Sequence, residues 1–187
     1  NVAVELARRD HRVGLLDTDV FGPSIPRLMG LEGRMAEMDA AGRILPQVNH
    51  GVACASMALL ADGAVAWRGL MVMRAVQDLM WRVAWPPLDY LVIDTPPGTG
   101  DTHLTILQQL VIDAAMVVTT PHPLSLSSTE RGIELLKTMK CPIAGVVENM
   151  RWLECTNCHH QNELHEGSKL DELLNRHQLP LLTSLPM

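Results

Sequence analysis

Aromatic residues are scarce in this chain: 3% of 187 residues, with one tyrosine, one phenylalanine and four tryptophans. A core of stacked rings is excluded, and the 11 methionines, flexible and polarizable, are expected to fill much of the interior instead. Cysteine is scarce too. Four residues, two of them isolated (Cys54 and Cys141), make no disulfide framework, so a reducing compartment is expected. The 15 basic residues are outnumbered by 21 acids, for a net charge of −6, which argues against nucleic-acid binding driven by charge. No apolar run approaches the ~20 residues that span a bilayer, so no integral membrane segment is expected. Neither a signal peptide nor a basic transit segment is visible. The sequence opens on Asn1, in mid-helix and without methionine, and is expected to be a fragment.

Apolar residues, 47% of the chain, suffice for one sizeable core. Short apolar runs alternate with amphipathic segments. "VGLLDTD", "YLVIDTPPG", "AAMVVTTP" and "IAGVVENM" read as buried parallel strands, "GVACASMALL" as a further strand, and "LPLLTSLPM" as a closing strand or extended segment. "NVAVELARR" is the tail of a helix. "PSIPRLMG" is a short helix closed by Gly30, with Ser24 a possible cap. Leu70, Met73, Val76, Met80 and Val83 recur at helical spacing in 69–85, a helix stopped by Pro86 and Pro87. Asp101 is expected to cap a helix through "THLTILQQL". "SSTERGIELLKTMK" is another helix, and Ser168 with Asp171 forms a capping box for "KLDELLNRH". Alternating strands and helices predict an α/β fold, a mostly parallel sheet with helices on both faces, as a single domain over 1–187 with a cysteine loop at 151–167. Ligands in such sheets sit at the carboxyl ends of the strands.

Polar residues gather at those ends: Asp17 and Asp19, Asp94, and Glu148 with Asn149. In "LVIDTPPGTGD" an aspartate ends an apolar strand and is followed by a loop stiffened by two prolines and hinged at Gly98 and Gly100. An aspartate there orients Mg²⁺ through water in a Walker B site, and a loop of this kind suits a switch that senses a γ-phosphate. A strand, an ordinary turn and an N-cap account for the same residues. Asp17 and Asp19 would share a face if the strand continues, one holding a metal-bound water and the other polarising the attacking water. Carboxylates this close repel unless a cation or hydrogen bonds compensate. A solvated turn is the alternative.

"WLECTNCHHQ" supplies Cys155 and Cys158 with His159 and His160 behind them. Three readings stand. One is a zinc site closed within the chain by His165 and one of the adjacent histidines. Another is a redox dithiol, a motif that usually sits at a helix start rather than in a loop. The third is half of a site shared by two chains, each giving two thiolates. Cys54 and Cys141 are expected to be small buried side chains, and His11, His50, His103, His122 and His177 to be surface or capped histidines. Trp81 and Trp85 are candidates to face a partner.

"GLLDTDVFGPSIPRLMG", "WRGLMVM", "LDYLVIDTPPGTGD", "VVTTP", "GVVENM" and "CTNC" follow one another over nearly the whole chain. In that order they resemble the Mrp/ApbC-type P-loop ATPases, iron–sulfur cluster carriers of the deviant-Walker class. "NHGVACASMALL…WRGLMVM" is most similar to the mitochondrial branch that serves assembly of respiratory complex I. The resemblance implies Asp19 as the switch I aspartate near the attacking water, Asp94 as the Walker B aspartate and "PPGTGD" as switch II. It implies Asn149 bonded to adenine, with backbone near Leu185 and Pro186 flanking the base. It favours the third cysteine reading: a homodimer bridging one [4Fe–4S] cluster through Cys155 and Cys158, delivered to apo iron–sulfur proteins in the mitochondrial matrix or, alternatively, the cytoplasm. ATP and Mg²⁺ are the implied cofactors and slow hydrolysis the implied activity. The family's glycine- and lysine-rich phosphate loop would precede Asn1, so the chain as it stands is expected to bind ATP poorly or not at all and to be inactive as a hydrolase. "PHP" at 121–123 and "LHEGSKL" depart from the family pattern. A partitioning ATPase of the same class and a non-catalytic zinc scaffold are the competing functions.

Overall fold

The structure, a computed structural model, describes residues 1–60, 69–165 and 169–187. They form two compact units: Asn1–Pro97 with Asp101–Thr105, and Gly98–Gly100 with Ile106–Met187. The first contains α1 (Val2–Arg8), β1 (Val13–Asp17), α2 (Ile25–Leu28), β2 (Gln47–Asn49), β3 (Val52–Ser56), α3 (Gly69–Trp81) and β4 (Tyr90–Asp94). Its sheet runs β2-β3-β1-β4, with β1 parallel to both neighbours and β2 antiparallel. All five residues of β1 and of β3 are buried, as strands covered on both faces must be. Val13, Leu15, Val52 and Cys54 pack with Ala3 of α1 and with Ile25 and the following Met29 at α2. Each such fully buried aliphatic side chain contributes about 1.5–3 kcal/mol. The alternate position Gly14 has no room for more: a Cβ there would lie 2.7 Å from Leu88 and 3.1 Å from the Trp85 ring.

After α4 (Asp101–Gln109), the second unit continues with β5 (Ala115–Thr119), α5 (Pro123–Thr138), β6 (Ile143–Glu148), β7 (Trp152–Glu154), β8 (Gln161–Glu163), α6 (Leu170–His177) and β9 (Leu181–Ser184). Strands β5, β6 and β9 are parallel in that order, whereas β7 and β8 form a separate antiparallel hairpin. Its core joins Leu126 and Ile133 of α5, Val146 of β6, and Leu170, Leu173 and Leu174 of α6. Gly145, at φ +152°, lets β9 approach: a Cβ would stand 2.7 Å from the Pro180 carbonyl oxygen.

Several expectations are corrected. Tyr90 and Leu91 of β4 and Met116 and Val118 of β5 are exposed, because each strand is the outer member of its sheet. Helix α3 stops at Trp81, before the prolines; Val76, Met80 and Val83 of the expected stripe are buried and Met73 is half-buried, and Val72, Ala75 and Leu79 widen the buried face. Of the methionines only Met29, Met57 and Met80 are buried; small and branched aliphatics fill the core instead. Trp85 is half-buried over Gly14 rather than presented outward. Gly100, not Asp101, occupies the N-cap of α4. Helix α5 starts early, at Pro123, because His122 Nδ1 accepts the Leu124 N–H (3.2 Å) and proline suits the first turn. Ser168, Trp67 and Arg68 lie outside the described residues.

Candidate functional site

In the first unit the carboxyl ends of β1, β3 and β4 bring Asp17, Ser56 and Asp94 side by side. Strand β1 ends at Asp17, so Asp19 lies in the turn beyond and does not share a strand face with it. Asp17 is fully buried. Its Oδ2 accepts the Ser56 hydroxyl (3.0 Å) and the Ile25 N–H (3.3 Å), and its Oδ1 accepts the Asp19 N–H (3.1 Å). Asp17 therefore caps α2; Ser24, in the N-cap position, makes no side-chain capping bond. Thr18, also buried, donates its N–H (2.9 Å) and hydroxyl (2.7 Å) to the Asp94 carbonyl, tying the two strand ends. Asp19 Oδ1 takes the N–H groups of Phe21 (3.2 Å) and Gly22 (3.0 Å), which holds its carboxylate in place.

Burial pushes the Asp17 carboxyl up to about 6 against the pull of its hydrogen bonds, with the Asp94 charge adding to the rise. Asp94 is raised too, first by burial and then by the Asp19 charge. Acids pushed up in this way form a site that a cation would stabilise. They do not converge on a direct ligand set: among the described residues no group of three or more His, Cys, Asp or Glu side chains is arranged to hold a metal ion. Contact through an intervening water, the arrangement of a Walker B aspartate, is compatible with this spacing. Beyond Asp94, Gly98 adopts φ +95° and Gly100 has open space around it, so the loop can turn sharply before α4.

The raised carboxyl of Asp17 has a pH consequence. A carboxylate whose folded pKa lies above its unfolded value binds its proton more tightly in the native state, so its contribution to stability is greatest below the unfolded value near 4 and is lost as pH rises through about 6. The stability of the protein relative to Asp17→Asn should therefore fall between pH 4 and pH 6.5. Urea titrations of both proteins across that range measure it; a pH-independent difference would refute the assignment.

In the second unit the end of β6 is tied to the C-terminal segment. Leu185 N–H donates to the Glu148 carbonyl (2.8 Å) and Asn149 N–H to the Thr119 carbonyl (2.7 Å). Asn149, Leu185 and Pro186 thus gather at the ends of β6 and β9. Glu148 is fully buried. Its Oε2 accepts from Arg151 (2.8 Å) and from the Ser184 hydroxyl (2.7 Å), while Oε1 has no hydrogen-bond partner among the described residues.

Cys155 and Cys158 sit on the loop that closes the β7–β8 hairpin, where the sequence suggested only irregular chain. Backbone bonds lock that loop: Cys155 N–H to the His160 carbonyl and His159 N–H to the Cys155 carbonyl, both 2.9 Å. Cys155 is half-buried and Cys158 exposed. The Cys155 sulfur accepts the backbone N–H groups of Cys158 and Asn157 and the Cys158 thiol, which hold it below the ordinary cysteine range. The thiols are thus adjacent. Two of the three candidate histidines have other neighbours. His159 Nδ1 lies 2.7 Å from Glu154 Oε1, and the His165 ring stands edge-on to His122 at 5.2 Å. Cys54 and Cys141 are buried free thiols pushed up by burial, Cys54 to about 11.

Sequence reasoning missed Ser56, Thr18, Arg151, Glu163 and Ser184. Arg151 had a legible signal, a cation three residues after the strand-end Glu148; the others pair only through the tertiary fold.

A family model described as NUBPL iron-transfer P-loop NTPase matches residues 1–187. The iron-sulfur cluster carrier protein of Helicobacter pylori is 40% identical over 190 residues, covering 100% of this chain and 52% of that protein. The iron-sulfur cluster transfer protein NUBPL of Mus musculus is 39% identical, covering 100% and 60%. The chain thus spans a little over half the length of these relatives. Among solved structures, a nucleotide-binding protein of Archaeoglobus fulgidus in complex with ADP superposes with a TM-score of 0.83 at 34% identity, covering 100% of this chain and 73% of that one. The cell division ATPase MinD of Pyrococcus furiosus shares the fold, with a TM-score of 0.65 at 20% identity.

Proposed function

The chain belongs to the family of NUBPL iron-transfer P-loop NTPases, and from that membership we propose that it carries a [4Fe–4S] cluster between two copies of itself and hands it to apo iron–sulfur proteins, components of respiratory complex I among them. The observation that carries this reading is the paired thiols of Cys155 and Cys158 on one locked hairpin loop. One chain offers two soft ligands and a four-iron cluster takes four, so a symmetric pair completes the set. Adenine nucleotide sets the geometry of that pair. In this reading Asn149 bonds the base, with the backbone of Leu185 and Pro186 beside it. Asp94 holds Mg²⁺ through water, Asp19 orients the attacking water, and Gly98 and Gly100 let the intervening loop respond to the γ-phosphate. Asp17 anchors Asp19 and α2 beneath them. ATP binding and slow hydrolysis are proposed for a form that also carries a glycine- and lysine-rich phosphate loop, and the mitochondrial matrix is the proposed compartment, with the cytoplasm as the alternative.

Anaerobic reconstitution followed by iron, sulfide and mass analysis tests the reading. About four irons and four sulfides per dimer are expected. Zinc at one per monomer would instead establish a zinc scaffold and end the carrier reading.

A further inference from the structure

A three-residue two-stranded hairpin is marginal in isolation, and β7–β8 joins neither parallel sheet. Arg151 fastens it. Its N–H donates to the Leu185 carbonyl (3.0 Å), and its carbonyl accepts from Leu164 N–H (3.1 Å). Its guanidinium reaches the buried Glu148 through Nη1 (2.8 Å) and Glu163 of β8 through Nη2 (3.2 Å). Glu148 in turn takes the Ser184 hydroxyl from β9. The Arg151 side chain thus joins the residue before Asn149 to the cysteine hairpin, and Glu148 links the pair to the residue before Leu185.

The junction also has somewhere to go. A polar cleft of about 220 Å³ lies beside it, lined by Glu148, Arg151, Glu163, His165 and Asp171. Glu148 Oε1 is an unused acceptor, and the Asp171 carboxylate faces the same cleft. A cleft bordered by Glu148, Glu163 and Asp171 offers the guanidinium more than one carboxylate partner, a condition that a two-position element has to meet. On the reading of Asn149 as the adenine partner and Cys155 and Cys158 as cluster ligands, we propose that Arg151 is the positioning residue that couples nucleotide state at the β6 and β9 ends to the geometry of the cysteine hairpin, with Glu163 as its arm onto the hairpin.

Glu163→Gln strips the charge from that arm, leaving at most a weak neutral hydrogen bond, while the buried Glu148–Arg151 pair stays intact. The measurement is hydrogen exchange of the amides of 152–163, with and without Mg-ATP, in the full-length protein. Allosteric couplings usually amount to ~5-fold or more, and the wild-type hairpin should respond to ATP by at least that factor. In Glu163→Gln the response should fall below ~2-fold, with ATP affinity and cluster loading within ~2-fold of wild type. Arg151→Lys, a point charge without the fork, should lie between. A wild-type hairpin that ignores ATP, or a Glu163→Gln response equal to wild type, overturns the coupling. A protein that holds no cluster yet shows the full pattern would refute the carrier reading and leave the coupling standing.

Discussion

Replacing Cys158 with alanine should lower cluster affinity by at least ~100-fold, since loss of a mere outer-shell partner of a metal site already costs about 10–100-fold. If two chains close one site, a single substitution removes two of its four thiolates. Cys155→Ala should do the same and also remove the sulfur that organises the loop, because the N–H groups of Cys158 and Asn157 converge on it. Cys54→Ala and Cys141→Ala should load normally: both thiols are buried, and burial holds them protonated. Mixed dimers of wild type and Cys158→Ala sharpen the test, since they keep three ligands and should bind with intermediate affinity. Iron and sulfide per chain after anaerobic desalting give the readout. Full loading of Cys158→Ala, or iron retained by a monomer, would exclude a shared site.

Parts of this arrangement were legible from residue order alone, and the reasons differ by element. Strands β1, β4 and β6 announce themselves as apolar runs that end in acid, because a parallel strand must be apolar along its length while its carboxyl end meets the ligand. Their acids were therefore found. Hairpin β7–β8 was not. "WLE" and "QNE" carry no apolar alternation, and the pairing is sustained by the locked cysteine loop and by Arg151, neither of which leaves a periodic trace. Strand β2 is also polar and short, and only the structure shows it: His50 and Gly51 both adopt positive φ in a tight turn onto β3. The condition for Asp19 to share a face with Asp17, a strand that continues, is not met, because the Asp17 carboxylate captures the Asp19 N–H and turns the chain. Asp17 reads as a cofactor-binding candidate in sequence, and in the fold its carboxylate also holds Ser56, Ile25 and Asp19 in place.

Arg151→Met should cost about 3–5 kcal/mol of stability in urea, toward the lower end because the Arg151 side chain is 39% exposed. The cost comes from what is left behind. Glu148 has no exposed surface, and without the guanidinium its carboxylate retains only the Ser184 hydroxyl as a side-chain donor. A buried charge stripped of its counter-ion is far more expensive than the pair is worth. Adding Glu148→Gln to Arg151→Met should therefore restore most of the loss, to within ~1.5 kcal/mol of wild type, because a neutral amide still accepts from Ser184 and places its NH₂ where Oε1 already lacks a partner. Glu148→Gln alone should be mild, as Arg151 keeps Glu163 and solvent. The double-mutant cycle then isolates the pair from its surroundings. Failure of the second substitution to recover stability would mean that Arg151 acts through packing of its stem rather than through charge. Recovery of stability without recovery of the hairpin's response to ATP would separate the two roles of one residue: neutralising Glu148, and holding the cysteine loop in register with the strand ends.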